Sequence, residues 1–180
     1  MIRLFVALGI PESLGTRLSG LRGQIPEARW VPPENFHITL RFVGEVDEGV
    51  AADVDDALAR VAAMPLDVTL RGVGHFGSRG RVRSLWAGVE KSAALEDLQG
   101  RVELACQRAG LTPEGRKFRP HVTLARCRDT REERIAGFLA DHVAFQASAF
   151  AVDSFALYSS ALGRGGPVYT REFDYPLARP

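Results

Sequence analysis

Only two of the 180 residues are cysteine, two are lysine and four are histidine. Cys106 and Cys127 lack the close spacing of a metal site and supply no disulfide framework, which fits a reducing compartment. No apolar run approaches the roughly 20 residues needed to cross a bilayer, and the opening "MIRLFVALGIPESL" lacks the basic start and cleavage pattern of an export signal. A cytoplasmic protein without membrane contact is therefore expected. No Walker-type glycine-lysine motif occurs, and "GVGHFG" has glycines without a dinucleotide fingerprint, so no nucleotide cofactor is expected. The histidines have no cysteine or acidic partners at zinc spacing, and no metal is expected either.

A net charge of +1 excludes a global field for coating long nucleic acid. The basic charge that is present is almost all arginine, the side chain suited to bidentate phosphate and carboxylate contacts, although base composition alone also produces such a bias. Arg79, Arg81 and Arg83 form one cluster; Arg116, Lys117, Arg119, Arg126 and Arg128 form another.

Hydrophobic patterning divides the chain into two similar halves. "IRLFVALGI" reads as a buried strand, "PESLGTRLSGLRGQI" as a helix, "RWVPPEN" as a proline-broken connector, "FHITLRFVG" as a strand, "GVAADVDDALARVAAM" as a helix and "LDVTLRGVGHF" as a strand. The order recurs in "SLWAGVE", "AALEDLQGRVELACQRAG", "FRPHVTLARC", "TREERIAGFLADH" and the strand material from Val143 to Ser160, with "VYTREFDYPL" as an added strand. The length suits one compact unit, here a single bilobal domain over 1–180, with a first repeat of about 1–78 and a second of about 79–180 that meet near "GSRGRVR". The expected fold is α+β: two pseudo-symmetric lobes from an internal duplication, mostly antiparallel sheets lining a central cleft, and helices outside. Nothing in the sequence calls for a protein partner or an oligomer, and a monomer is expected.

His-x-Thr-Leu stands at residues 37–40 and returns at 121–124. On a random ordering a given histidine acquires that Thr and Leu with a chance of about 0.4%, so two of four histidines doing so is poorly explained by chance. Alternate side chains of a strand share a face, which places His37 with Thr39 and His121 with Thr123, while Ile38, Leu40, Val122 and Leu124 point to the core. A pair of imidazoles, each with an ordinary pKa near neutrality, can hold one neutral base and one protonated acid at the same pH. Transfer at a phosphodiester needs that pairing, with hydroxyls and an arginine around the nonbridging oxygens.

These two motifs, with "RLFVAL", "ENFHITLRFVGEV", "RVRSLWAGV" and "GGPVYT", resemble the bacterial and archaeal RNA 2′,3′-cyclic phosphodiesterases, also called 2′-5′ RNA ligases or LigT-like proteins, of the 2H phosphoesterase superfamily. The resemblance spans essentially the whole chain. It implies a metal-independent enzyme that opens a terminal 2′,3′-cyclic phosphate to a 2′-phosphomonoester, with His37 and His121 as the acid–base pair in unassigned order. It further implies Thr39 and Thr123 as phosphate ligands and Arg126 as an additional one. Phe5, Arg41 and Tyr169 are further possible substrate contacts, and Phe76 and Trp86 are aromatic candidates for stacking or for the core. The expected substrate is an RNA end or a small cyclic nucleotide; a 2′-5′-linked oligonucleotide and a noncatalytic RNA-end binder are the alternatives. His75 and His142 lack the Thr and read as structural or surface residues.

Overall fold

The computed structural model describes residues 1–178. Along the chain run β1 (Ile2–Gly9), α1 (Glu12–Ser19), β2 (Ala28–Trp30), a 3₁₀ turn (Pro33–Asn35), β3 (His37–Val46), α2 (Glu48–Leu58), β4 (Leu66–Val68) and β5 (Leu70–Ser78). They continue with β6 (Arg81–Val89), α3 (Ala93–Arg108), β7 (His121–Arg131), a 3₁₀ turn (Glu132–Ile135), α4 (Ala136–His142), β8 (Phe150–Val152), β9 (Ser154–Gly163) and β10 (Gly166–Pro176). The α+β class expected from the sequence is what is found. Local expectations are corrected: the helix expected over 11–25 stops at Ser19, and the one expected over 130–142 begins as the end of β7 and a 3₁₀ turn. The strand expected over 66–76 is broken into β4 and β5. The helix expected over 49–64 stops at Leu58, the last residue of its buried stripe. The proline-rich connector contains β2, which pairs with β7 along the edge that β3 leaves open.

The helices follow from apolar spacing and capping. Asp47 accepts a hydrogen bond from the Val50 amide at 2.9 Å to start α2, and Ser92 accepts one from Leu95 at 3.1 Å to start α3. Leu95, Leu98, Val102 and Cys106 then line one buried stripe of α3, and Gly110, with φ of 90°, lets the chain leave the helix. Arg79 and Gly80, with φ of 54° and 73°, make the two-residue turn between β5 and β6, where a hairpin needs two left-handed positions.

The large sheet is antiparallel throughout, in the order β10-β9-β1-β3-β7-β6-β5, with β2 beside β7. Its centre is narrow: β3 and β7 share the single pair Ile38 with Val122 and then diverge. In the small sheet of β4 and β8, Asp67 pairs with Ala151. Both pairs join residues 84 apart, the interval that separates His37 from His121. A residue paired with its own repeat equivalent lies on a local twofold axis, so these two pairs mark that axis through the molecule. The outer strands are exchanged: β5, late in the first half, pairs with β6, while β9, late in the second, pairs with β1.

Candidate active site

His37 and His121 each open a strand beside the axis, and the strands repeat one burial pattern from there. Ile38 and Val122 are fully buried, while the flanking His and Thr of each motif are partly exposed. His37 Nδ1 lies 2.8 Å from the Asn35 carbonyl, and His121 Nδ1 lies 2.6 Å from the Arg119 carbonyl. A carbonyl only accepts, so Nδ1 carries the hydrogen in both rings and each Nε2 is left to exchange a proton.

Both strands bulge at the motif leucine. Val6 pairs with Arg41 and Ala7 with Thr39, which leaves Leu40 as the extra residue; Leu85 pairs with Ala125 and Trp86 with Thr123, which leaves Leu124. A bulge reverses which later residues face each side. Arg126 is thereby returned to the face of Thr123, and Arg41 is turned away from the face of Thr39. Arg41 is 8% exposed, its Nε 2.5 Å from Glu103 and its Nη2 2.5 Å from the Thr112 carbonyl. The expectation that Arg41 contacts substrate is therefore corrected: its guanidinium anchors β3 to α3 and the loop that follows it.

A cleft opens where β3 and β7 part, lined by His37, Thr123, Arg126, Tyr169, Arg29 and Asn35 among others. His121 and Thr39 lie on the same strand faces as Thr123 and His37 but are not among the residues that line this cleft. Asn35 donates a hydrogen bond to the Pro167 carbonyl at 3.0 Å, which fastens the tip of the β9–β10 hairpin over the cleft. "GRGGPVY" is thus both a tight hairpin connection and a wall of the site. Tyr169 stands edge-on to His37 with ring centroids 5.3 Å apart.

Aromatic rings hold both imidazoles in place, and here the halves differ. Phe5 packs 4.8 Å from His37 and 5.2 Å from Tyr158. Phe5 is only 4% exposed and does not line the cleft, so it offers no free face to a base, which corrects the expectation of a contact there. The equivalent of the Phe5–Tyr158 pair is Trp86 with Gly74, where the larger indole covers a residue without a side chain. Phe76 then meets His121 edge-on at 4.9 Å.

Burial drives the His37 pKa down to about 4, with smaller contributions from the charges of Arg126 and His121, against the opposing pull of the Asn35 carbonyl. Burial and Arg126 also lower the His121 pKa. Both rings are therefore neutral near pH 7 in the free protein. Among the described residues, no three His, Cys, Asp or Glu side chains gather as a metal site would need.

The family model described as LigT like Phosphoesterase matches residues 8–86 and 88–169. The chain belongs to this family. The phosphoesterase is 36% identical to the RNA 2′,3′-cyclic phosphodiesterase of Aeropyrum pernix, over 90% of this chain and 96% of the relative. It is 32% identical to the protein of the same name from Thermotoga maritima, over 93% and 91%. Its fold superposes on the crystal structure of E. coli LigT complexed with 3′-AMP with a TM-score of 0.81 at 27% identity, covering 99% of both chains.

Arg29, Asn35 and Trp30 line the cleft without having been singled out by sequence reasoning. They fall in the connector, and their place depends on the three-residue pairing of β2 with β7, for which the local sequence carries no signal. Among the described helices, none is long and apolar enough to cross a membrane.

Proposed function

We propose that this phosphoesterase hydrolyses a terminal 2′,3′-cyclic phosphate of RNA to a 2′-phosphomonoester, without a metal. The observation that carries the reading is the pair of imidazoles, each pinned through Nδ1 and, among the described residues, without a hydrogen bond at Nε2, on strands related by the twofold axis. In-line displacement sets nucleophile and leaving group on opposite sides of phosphorus, and a twofold pair supplies one proton-transfer group to each side. One Nε2 removes a proton from water as its oxygen bonds to phosphorus. The P–O3′ bond breaks, and the other Nε2–H delivers a proton to O3′. Thr39, Thr123 and Arg126 hold the nonbridging oxygens, where negative charge grows. The substrate's own negative charge raises the imidazole pKa values from their depressed resting state, so binding helps to supply the protonated acid.

The test is to incubate the protein, with chelator and without ATP, with a short RNA ending in a 2′,3′-cyclic phosphate, and to resolve the 2′- and 3′-phosphate products. A 2′-phosphate is expected, with turnover lowered about 10²- to 10⁴-fold in His37→Ala and in His121→Ala. Near-wild-type turnover in either variant removes that histidine from the mechanism. Tight binding without turnover makes the protein an RNA-end binder, and a rate restored only by a divalent ion overturns the metal-free route.

A further inference from the structure

We propose that Arg29 holds the phosphodiester one nucleotide upstream of the reacting end, so that the site selects an RNA chain over an isolated cyclic mononucleotide. This rests on the phosphodiesterase reading above and adds a subsite to it.

Arg29 is the middle residue of β2 and pairs directly with Arg126 of β7. Directly opposed residues of an antiparallel pair share a face, with their Cβ atoms about 5 Å apart, and like charges so placed repel. Arg41, Arg71, Arg81, Arg116 and Arg171 each sit beside a carboxylate. Arg29 and Arg126 make no ion pair or side-chain hydrogen bond among the described residues, and the cleft they line contains no Asp or Glu. An anionic ligand relieves the repulsion between them.

The charge count sets how much anion is needed. A cyclic phosphodiester carries one negative charge, which Arg126 balances beside Thr123. A second guanidinium exceeds that requirement by one, and the next phosphodiester of an RNA chain carries one further charge. Arg29 stands across from Arg126 toward the hairpin tip. Its Nη1 is 3.9 Å from the point a Cβ would occupy on Gly166, so a bare backbone faces it on that side.

The test compares binding of a five-nucleotide RNA ending in a 2′-phosphate with binding of a nucleoside 2′-phosphate, in wild type, Arg29→Gln and Arg29→Lys, across a salt series. In Arg29→Gln the ratio of the two affinities, oligomer over mononucleotide, is expected to fall about tenfold. The salt slope for the oligomer should drop by about 0.7, the share of one phosphate contact on a single strand. Arg29→Lys should keep most of the slope, which a purely structural role would not require. A loss shared equally by both ligands places Arg29 on the reacting phosphate and overturns the proposal, as does an unchanged ratio or a wild type that binds neither. Turnover is read separately: wild-type binding that depends on Arg29 without hydrolysis sinks the phosphodiesterase reading alone, whereas hydrolysis with an unchanged ratio sinks the subsite alone.

Discussion

Phe42 occupies in β3 the place that Arg126 occupies in β7: each is five residues past its motif histidine and two past its bulged leucine. The twofold frame therefore carries an arginine on one side and a half-exposed phenylalanine on the other. Histidines and threonines are duplicated, but positive charge is not.

Arg126→Ala should thus cost far more than a surface arginine would. Loss of one preorganised donor to the charged phosphoryl group should lower kcat/KM by about 10²- to 10³-fold. Because the Arg126 charge depresses both histidines, the same variant should raise both imidazole pKa values, as read by proton NMR titration of the ring signals. Unmoved titrations would show that burial alone sets them.

The depressed histidines tie stability to pH. Well above the ordinary histidine pKa of 6.5 both are neutral in folded and unfolded chains and contribute no pH dependence. As pH falls from 6.5 toward about 4, the unfolded chain binds protons that folded His37 refuses. Stability should therefore drop, by up to about 1.4 kcal/mol per pH unit for His37, with His121 adding in the same direction, and the His37 share should level off below about pH 4. Urea midpoints of wild type and His37→Gln at several pH values isolate that share. An equal slope in both would remove His37 from the effect.

Arg41→Ala should lower stability without disabling the chemistry. It strands Glu103 next to the buried Cys106, and breaking such a pair costs on the order of 3 kcal/mol. Denaturant unfolding should show the loss, with kcat per folded molecule within a few-fold of wild type. A kcat reduced a hundredfold would return Arg41 to the site.

Gly74→Ala should disturb the second histidine from a distance. The new Cβ would lie 2.3 Å from Trp86 Cη2, so the indole must move, and Trp86 packs 6.3 Å from His121. A stability cost of about 1–3 kcal/mol is expected, with a lower kcat/KM. Unchanged tryptophan fluorescence and activity would mean the indole has slack.

Periodicity and the repeated motif made much of this legible. The alternation His37, Ile38, Thr39 appears in the strand as the sequence implies, because a strand with one buried face fixes its own parity. Parity then misleads beyond Thr39. A regular strand would put Arg41, four residues past His37, on the cleft face and Arg126, five past His121, on the core face. The bulges at Leu40 and Leu124 reverse both, and an extra residue in a ladder is a property of the pairing rather than of either strand alone. The motif resemblance favoured Arg126 where alternation by itself favours Arg41. Arg29 stayed hidden for a related reason: a three-residue strand between prolines has no period to detect.

The exchange of outer strands has a consequence for how the chain assembles. Neither half can complete its own sheet: β1 waits for β9, and Phe5 meets Tyr158 only after nearly the whole chain has been made. Topologically this is a swapped dimer tied into one polypeptide, in which each copy lends the other a strand. Closure of so long a loop comes late and slowly, and it seats the ring that packs Phe5 against His37. A chain cut before β9 would keep both histidine motifs in its sequence, yet expose the edge of β1 to other chains. The packing around His37 and the protection of that edge are thus finished in one folding event.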